Sequence, residues 1–285
     1  MGVNSLQPLR LTLAEALAQP VVALKQAISQ AKVLVISNQN LGVAPYVQLM
    51  RSLGTPVHHV LAKYCLADYR EVLTVTNLHQ GGQALGVHEG GGYWHTDMSY
   101  KTANTVFTSL LAVQVPQAHG ETEFIDCVAA LNQVRQWQLS PSCPACLQGL
   151  ELDHLRVRHR FGNRDVLRNA HAAVQTLDGK EAGTLEQAVL HPLVLQHPLA
   201  RSTSLYAPAA TAMQIEGLSP TLSHCILDCV LDFVVQHAPR YQHAYCPGDI
   251  VIWDNLSTLH KGPSIAKSDG GANARLLYRM NVDFT

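Results

Sequence analysis

The segment YCPGDIVIWDNLSTLHKG, residues 245–262, decides how this chain is read. Pro247-Gly248 is a turn dipeptide. Residues 249–253 then form a short apolar run of the length and composition of a buried strand, and His260 follows it. Outward from here similar short pieces recur. Residues 72–116 carry VLTVTN and TVFTSLLAVQV between Gly-rich turns, and residues 192–196, 204–207 and 275–283 read as further strands. Residues 32–37 (KVLVIS) read as a buried strand near the start of the chain. Helical patterns fall at residues 13–31, interrupted at Pro20, at residues 45–53, ending at Gly54, and at residues 222–237. Many short strands with peripheral helices predict a mainly β protein: a double-stranded β-helix, or jelly roll, as one domain over residues 1–285. Residues 128–190 read as an excursion of helix and loop, an insertion or lid.

Composition limits the partners. The chain has 285 residues, a net charge of −1, 47% hydrophobic and 14% charged residues. A balance so near zero argues against nucleic acid, whose phosphates select an excess of Lys and Arg. The low charged share, against about 25% in typical domains, predicts that part of the surface is covered in a homo-oligomer. No apolar run is long enough for a membrane span, and residues 1–20 lack a basic region followed by an apolar stretch, so a soluble cytoplasmic protein is expected. Seven cysteines, an odd number, suit free thiols in a reducing compartment. Cys143-Pro-Ala-Cys146 is a lone CxxC, and Cys225 and Cys229 stand four apart in the last helical pattern. The two pairs are distant in the chain and lack the context of a zinc knuckle, so ordinary buried or loop cysteines are expected.

His95-Thr96-Asp97 places an imidazole and a carboxylate at i and i+2, which point to one face of a strand. Alone this is weak, because 15 histidines and 21 acidic residues in 285 positions give roughly one such pair by accident. His119-Gly120-Glu121 reads as that accident. A distant His260 completing the pair makes two imidazoles and one carboxylate, the donor set of non-haem Fe(II) oxygenases.

At this point a resemblance becomes specific. WHTDMSY (94–100), GETEFIDCVAAL (120–131), HPLVLQHP (191–198) followed by SLYAP (204–208), PGDIVIWDNLSTLHKG (247–262) and RLLYR (275–279) resemble, in order, the signature segments of the taurine dioxygenase (TauD/TfdA-like) family of Fe(II)- and 2-oxoglutarate-dependent oxygenases. The resemblance covers residues 33–284. It implies iron held by His95, Asp97 and His260, and Thr122 bonding a 2-oxoglutarate carboxylate. Arg275 would fork onto the distal carboxylate of that cosubstrate, a task for a planar guanidinium. Arg279 matches a second family arginine, a cosubstrate or substrate contact, and His59 matches a substrate-contacting histidine.

The family's substrate asparagine has no counterpart, since Gly91 and Gly92 occupy that stretch. The implied reaction uses O2 and 2-oxoglutarate to hydroxylate a small organic substrate, expected to be acidic, with release of succinate and CO2. The same iron chemistry can instead desaturate, cyclise or cleave a substrate bond, and a non-catalytic metal-binding jelly roll is the rival of another class. Arg156, Arg158 and Arg160 alternate onto one strand face, with Arg164 and Arg168 beyond, and read as either a solvated edge or an anion-attracting lid.

Overall fold

Strands with no polar alternation need cover on both faces, and the central strands of this protein have it. The computed structural model describes residues 5–37, 42–88, 91–102, 106–162 and 187–284. Its larger sheet runs in the order Leu9–Leu11, Val33–Ile36, Ile250–Asp254, Phe107–Gln114, Leu276–Asp283, Thr55–Pro56, with Leu73–Thr76 also paired to Leu276–Asp283. Only the Leu9–Leu11 pairing is parallel among these. Leu34, Ile36, Ile250 and Ile252 face helices Val21–Ala31 and Val43–Leu53, where they meet Ile28, Tyr46 and Met50. The alternate residues Val33, Val35, Val251 and Trp253 face Phe124 and Tyr245 on the other side.

Phe124 belongs to a smaller antiparallel sheet, Arg240–His243, Thr122–Asp126 and Thr258–Lys261. Its outer face, through Ile125 and Leu259, is covered by helices Cys127–Gln138 and Pro220–His237. Two facing sheets wrapped by helices are the expected jelly-roll arrangement, built mostly of strands and not closed into a barrel. The chain crosses directly between these two sheets four times, twice from the larger to the smaller. Phe107–Gln114 passes to Thr122–Asp126, and Ile250–Asp254 passes to Thr258–Lys261 across three residues.

Local chemistry sets the ends of the elements. Pro20, with no N–H to give, divides the first helical pattern into Leu13–Ala18 and Val21–Ala31. Thr12 and Glu15 form a reciprocal capping box on the first of these. Asp126 caps helix Cys127–Gln138 by accepting from the N–H groups of Val128 (2.9 Å) and Ala129 (3.0 Å).

Within residues 128–190 the described part holds most of that helix, a 3-10 turn at Leu152–His154 and strand Arg156–His159, which pairs with Val189–Pro192 and Ala212–Ile215. Arg156 and Arg158 point outward while Val157 and His159 are buried, and Arg158 meets Glu216 at 3.0 Å. Arg164 and Arg168 lie outside the described residues. No helix among the described residues is long and apolar enough to cross a membrane, and all seven cysteines are free.

Candidate active site

Two histidines far apart in sequence are brought together by the backbone itself. His95 donates its N–H to the His260 carbonyl at 3.0 Å and accepts from the His260 N–H at 2.9 Å, an isolated antiparallel bridge beside strand Thr258–Lys261. Their ring centroids lie 4.1 Å apart. Asp97 completes the group, with Oδ1 3.5 Å from His95 Nε2 and Oδ2 3.4 Å from His260 Nε2. One ligand atom from each of the three lies within 4.8 Å of the others, and all three residues are buried.

The electrostatics suit a cation. Burial alone would raise the Asp97 carboxyl, but the Arg279 guanidinium beside it holds it well below the usual carboxylate range, so it is ionised. Burial, then the neighbouring His95, holds His260 well below the usual imidazole range, so it is neutral and has a lone pair to offer. His95 Nδ1 lies 2.8 Å from the Tyr93 carbonyl. Donation there puts the proton on Nδ1 and leaves Nε2 as the ligand atom, the arrangement usual in metal-bound histidines. Asp97 Oδ2 and His260 Nδ1 are buried with no hydrogen-bond partner. An orphaned carboxylate oxygen facing the His260 nitrogen, with the His95 nitrogen beside the same carboxylate, fits a divalent ion, and two nitrogens with one oxygen fit Fe(II) among such ions.

Gly91 makes room for this group. A Cβ there would sit 3.1 Å from His95 Cε1, tighter than ordinary contact, whereas one on Gly92 would meet nothing within 4 Å. Directly after Asp97 the chain reverses through Met98 at φ 57°, a left-handed conformation that costs a non-glycine residue about 1–3 kcal/mol.

A cavity of about 550 Å³, open mouth included, is lined by His95, Asp97 and His260 together with Thr122, Arg275 and Arg279. Val75, Val87, Leu110 and Trp253 supply its apolar wall. The structure thus brings six of the seven expected residues to one space. Thr122 accepts from the Tyr245 hydroxyl at 3.1 Å. Arg275, 8% exposed, donates from Nε to the Gly120 carbonyl at 3.3 Å, while its backbone N–H is held by Asn77 Oδ1 at 2.8 Å.

His59, the seventh, does not line the cavity. Its Nδ1 accepts from the Leu61 N–H at 3.1 Å, and burial, then the charge of Arg279, pushes its pKa down to about 3. His119 is exposed and is not among the residues that line the cavity.

Arg279 answers a question that its position in the sequence leaves open. A buried guanidinium needs an anion, and here Asp97 is that anion, with Nη2 2.7 Å from Oδ1. The pair belongs to a closed ring of contacts. Arg279 Nε donates to Asn281 Oδ1 (3.0 Å), and Asn281 Nδ2 donates to Thr108 Oγ1 (2.9 Å). Asn255 Nδ2 donates to the same hydroxyl (2.7 Å), and Asn255 Oδ1 accepts from the Asp97 backbone N–H (3.4 Å). Sequence reasoning did not find Asn255, Asn281 or Thr108 as site residues. The signal was present for Asn281: an amide inside an apolar strand pattern has to find partners once buried.

Two facing sheets that enclose two imidazoles and a carboxylate define a class, the jelly rolls with one 2-His-1-carboxylate centre. The chain belongs to the taurine catabolism dioxygenase TauD, TfdA family, whose model matches residues 4–281. It is 31% identical over 201 residues, 68% of this chain and 64% of the relative, to pentalenolactone F synthase of Streptomyces arenae. It is 29% identical over 171 residues, 59% of this chain and 53% of the relative, to the alpha-ketoglutarate-dependent 2,4-dichlorophenoxyacetate dioxygenase of Cupriavidus pinatubonensis. The matched part therefore spans less than two thirds of the length of these relatives. In fold it is similar to AAD-2, solved with Mn(II) and N-oxalylglycine, at a TM-score of 0.69 and 23% identity, covering 100% of this chain and 92% of that one.

Proposed function

We propose that this protein is an Fe(II)- and 2-oxoglutarate-dependent dioxygenase that hydroxylates a small, acidic organic substrate and releases succinate and CO2. The observation that carries this reading is that one cavity is lined both by His95, Asp97 and His260 and by Thr122 and Arg275. A mere metal holder has no use for the second pair. The names of the relatives, alpha-ketoglutarate-dependent dioxygenases among them, support the same class.

Each side chain then has a task. His95, Asp97 and His260 hold Fe(II), which supplies oxidation by O2 at the expense of 2-oxoglutarate. Arg275 grips the distal carboxylate of 2-oxoglutarate through paired N–H groups, and Thr122, its hydroxyl oriented by Tyr245, bonds a carboxylate oxygen. Arg279 holds Asp97 ionised and in place. Val75, Val87, Leu110 and Trp253 keep bulk water from the reacting carbon.

Charge supports an acidic substrate. Among the ionised side chains lining the cavity, one carboxylate faces two guanidiniums. A divalent ion adds two positive charges and dianionic 2-oxoglutarate removes two, which leaves one positive charge for a monoanionic substrate to balance. Seven free cysteines support a cytoplasmic location. Exposed Leu17, Val21 and Val22, close together in the chain, support a homo-oligomer.

The test is a screen of small carboxylates, amino acids and sulfonates for substrate-dependent succinate formation with Fe(II), 2-oxoglutarate and O2, with product masses measured. A gain of one oxygen atom is the expected result. Asp97→Ala should lose iron binding and coupled turnover, and His119→Ala should keep both. Full coupled activity in Asp97→Ala, or loss in His119→Ala, would overturn the assignment.

A further inference from the structure

A second group of possible ligands lies at helices Cys127–Gln138 and Pro220–His237 and shares no residue with the cavity. Cys225 and Cys229 stand one turn apart on helix Pro220–His237, so their thiols project from one strip of its surface. Cys146 comes to them from the turn after helix Cys127–Gln138. The Cys225 thiol donates to Cys146 Sγ at 3.0 Å, and Cys146 Sγ lies 4.0 Å from Cys229 Sγ. All three sulfurs lie within 4.8 Å of one another. Cys143, the other half of the CxxC, is turned away: it is 4% exposed, packs in the core and has the Pro144 carbonyl as its neighbour at 3.6 Å.

We infer that Cys146, Cys225 and Cys229 form a binding site for one thiophilic divalent cation of the zinc class, with an open fourth position facing solvent. Four observations carry this. A tetrahedral thiolate site with metal–sulfur bonds of about 2.3 Å sets its sulfurs about 3.8 Å apart, and the separations of 3.0 and 4.0 Å lie on either side of that value. Thiols are weak hydrogen-bond donors and weak acceptors, so their mutual attraction does not account for three of them gathered from two distant segments. The site is accessible, because Cys225 is exposed and the other two are half-buried.

Finally, the scaffold is held in advance. Gln138 Nε2 donates to the carbonyls of Leu147 and Leu150, both at 2.9 Å, and Gln148 Nε2 donates to the Cys143 carbonyl at 2.9 Å, which clamps the turn bearing Cys146. An all-sulfur donor set selects zinc-class ions over Fe(II) or Mg(II), and among the described residues no histidine or carboxylate joins it.

Cadmium reports on this site directly, because only sulfur ligands give a near-ultraviolet thiolate-to-metal charge-transfer band and the His95/Asp97/His260 group contains no sulfur. Reduced, metal-free full-length protein titrated with Cd(II) should develop that band to saturation. Cys146→Ser and Cys225→Ser should weaken binding by more than about 100-fold, beyond the usual cost of losing a residue that merely supports a ligand. Cys143→Ser and His260→Ala should leave the band unchanged. Zn(II) should raise the melting temperature of His260→Ala, in which the cavity site is broken, but not of the double variant His260→Ala/Cys225→Ser; the exposed position of Cys225 keeps that variant folded. Absence of the band, its survival in Cys225→Ser, or its loss in Cys143→Ser would overturn the inference. So would an aerobic protein two hydrogens lighter that takes up no Cd(II) after reduction, which would assign Cys146 and Cys225 to disulfide formation instead.

Discussion

Removing the Arg279 guanidinium tests the central electrostatic claim about the cavity. Arg279 and Asp97 are 2.7 Å apart, with side-chain exposures of 12% and 3%. The pair is therefore a buried one, and the small energies of exposed ion pairs do not apply. Deleting one member of a buried pair strands the other, at a cost of about 3–5 kcal/mol. For a chain of this size that is a fall in melting temperature of about 6–10 °C in Arg279→Leu, taking about 2 °C per kcal/mol. Uptake of a proton by the stranded Asp97 sets the upper limit of the loss.

The double variant Arg279→Leu/Asp97→Asn removes both charges and should recover part of the loss, a non-additivity expected of groups in direct contact. Added Fe(II) or Mn(II) should also shrink the deficit of the single variant, since the cation supplies the charge that Arg279 did. The assay is thermal unfolding of chelator-treated protein at neutral pH, with and without metal. A melting temperature for Arg279→Leu within about 1 °C of the parent, the scale of an ordinary surface change, or a double variant no better than the single, would refute the reasoning.

Arg275→Lys keeps the charge but loses the planar fork. A charge-assisted bond is worth about 1.5–3 kcal/mol, so the apparent constant for 2-oxoglutarate should rise about 10- to 150-fold with iron affinity little changed; an unchanged constant would make Arg275 structural. Thr122→Ala should move the same constant in the same direction by less. Gly91→Ala places a Cβ 3.1 Å from His95 Cε1 and should lower iron affinity by displacing the ring, while Gly92→Ala, with nothing within 4 Å, should bind iron like the parent in a direct titration.

Acid should destabilise the metal-free protein. Burial holds His191 and His243 below the usual imidazole range, and His59 lies near 3. The unfolded chain binds protons at these groups below about pH 6.5 and the folded chain does not, so stability falls as pH drops from about 7 toward 5. Denaturant midpoints that stay level across that interval would contradict it.

The sequence by itself determined the segments and the family. Apolar runs such as VLVI and IVIWD are buried on both faces, and this covering is written into their composition because a strand of that kind tolerates no solvent-facing side. His95 and Asp97 were legible as a pair by their spacing, but the strand expected to carry them is absent: His95 sits in an isolated bridge and Asp97 in the turn that follows it. What only the tertiary structure decided was which distant groups share a space. His260 reaches His95 through a two-bond bridge, and Asp97, instead of a substrate anion, balances Arg279. Thr108 joins two asparagines into one ring, and the CxxC is split, with Cys146 joining Cys225 and Cys229 while Cys143 enters the core. Local periodicity says which face of an element is apolar. It does not say which residue of another element will lie opposite, because that depends on sheet register, corner geometry and helix placement, which are settled only when the whole core packs at once.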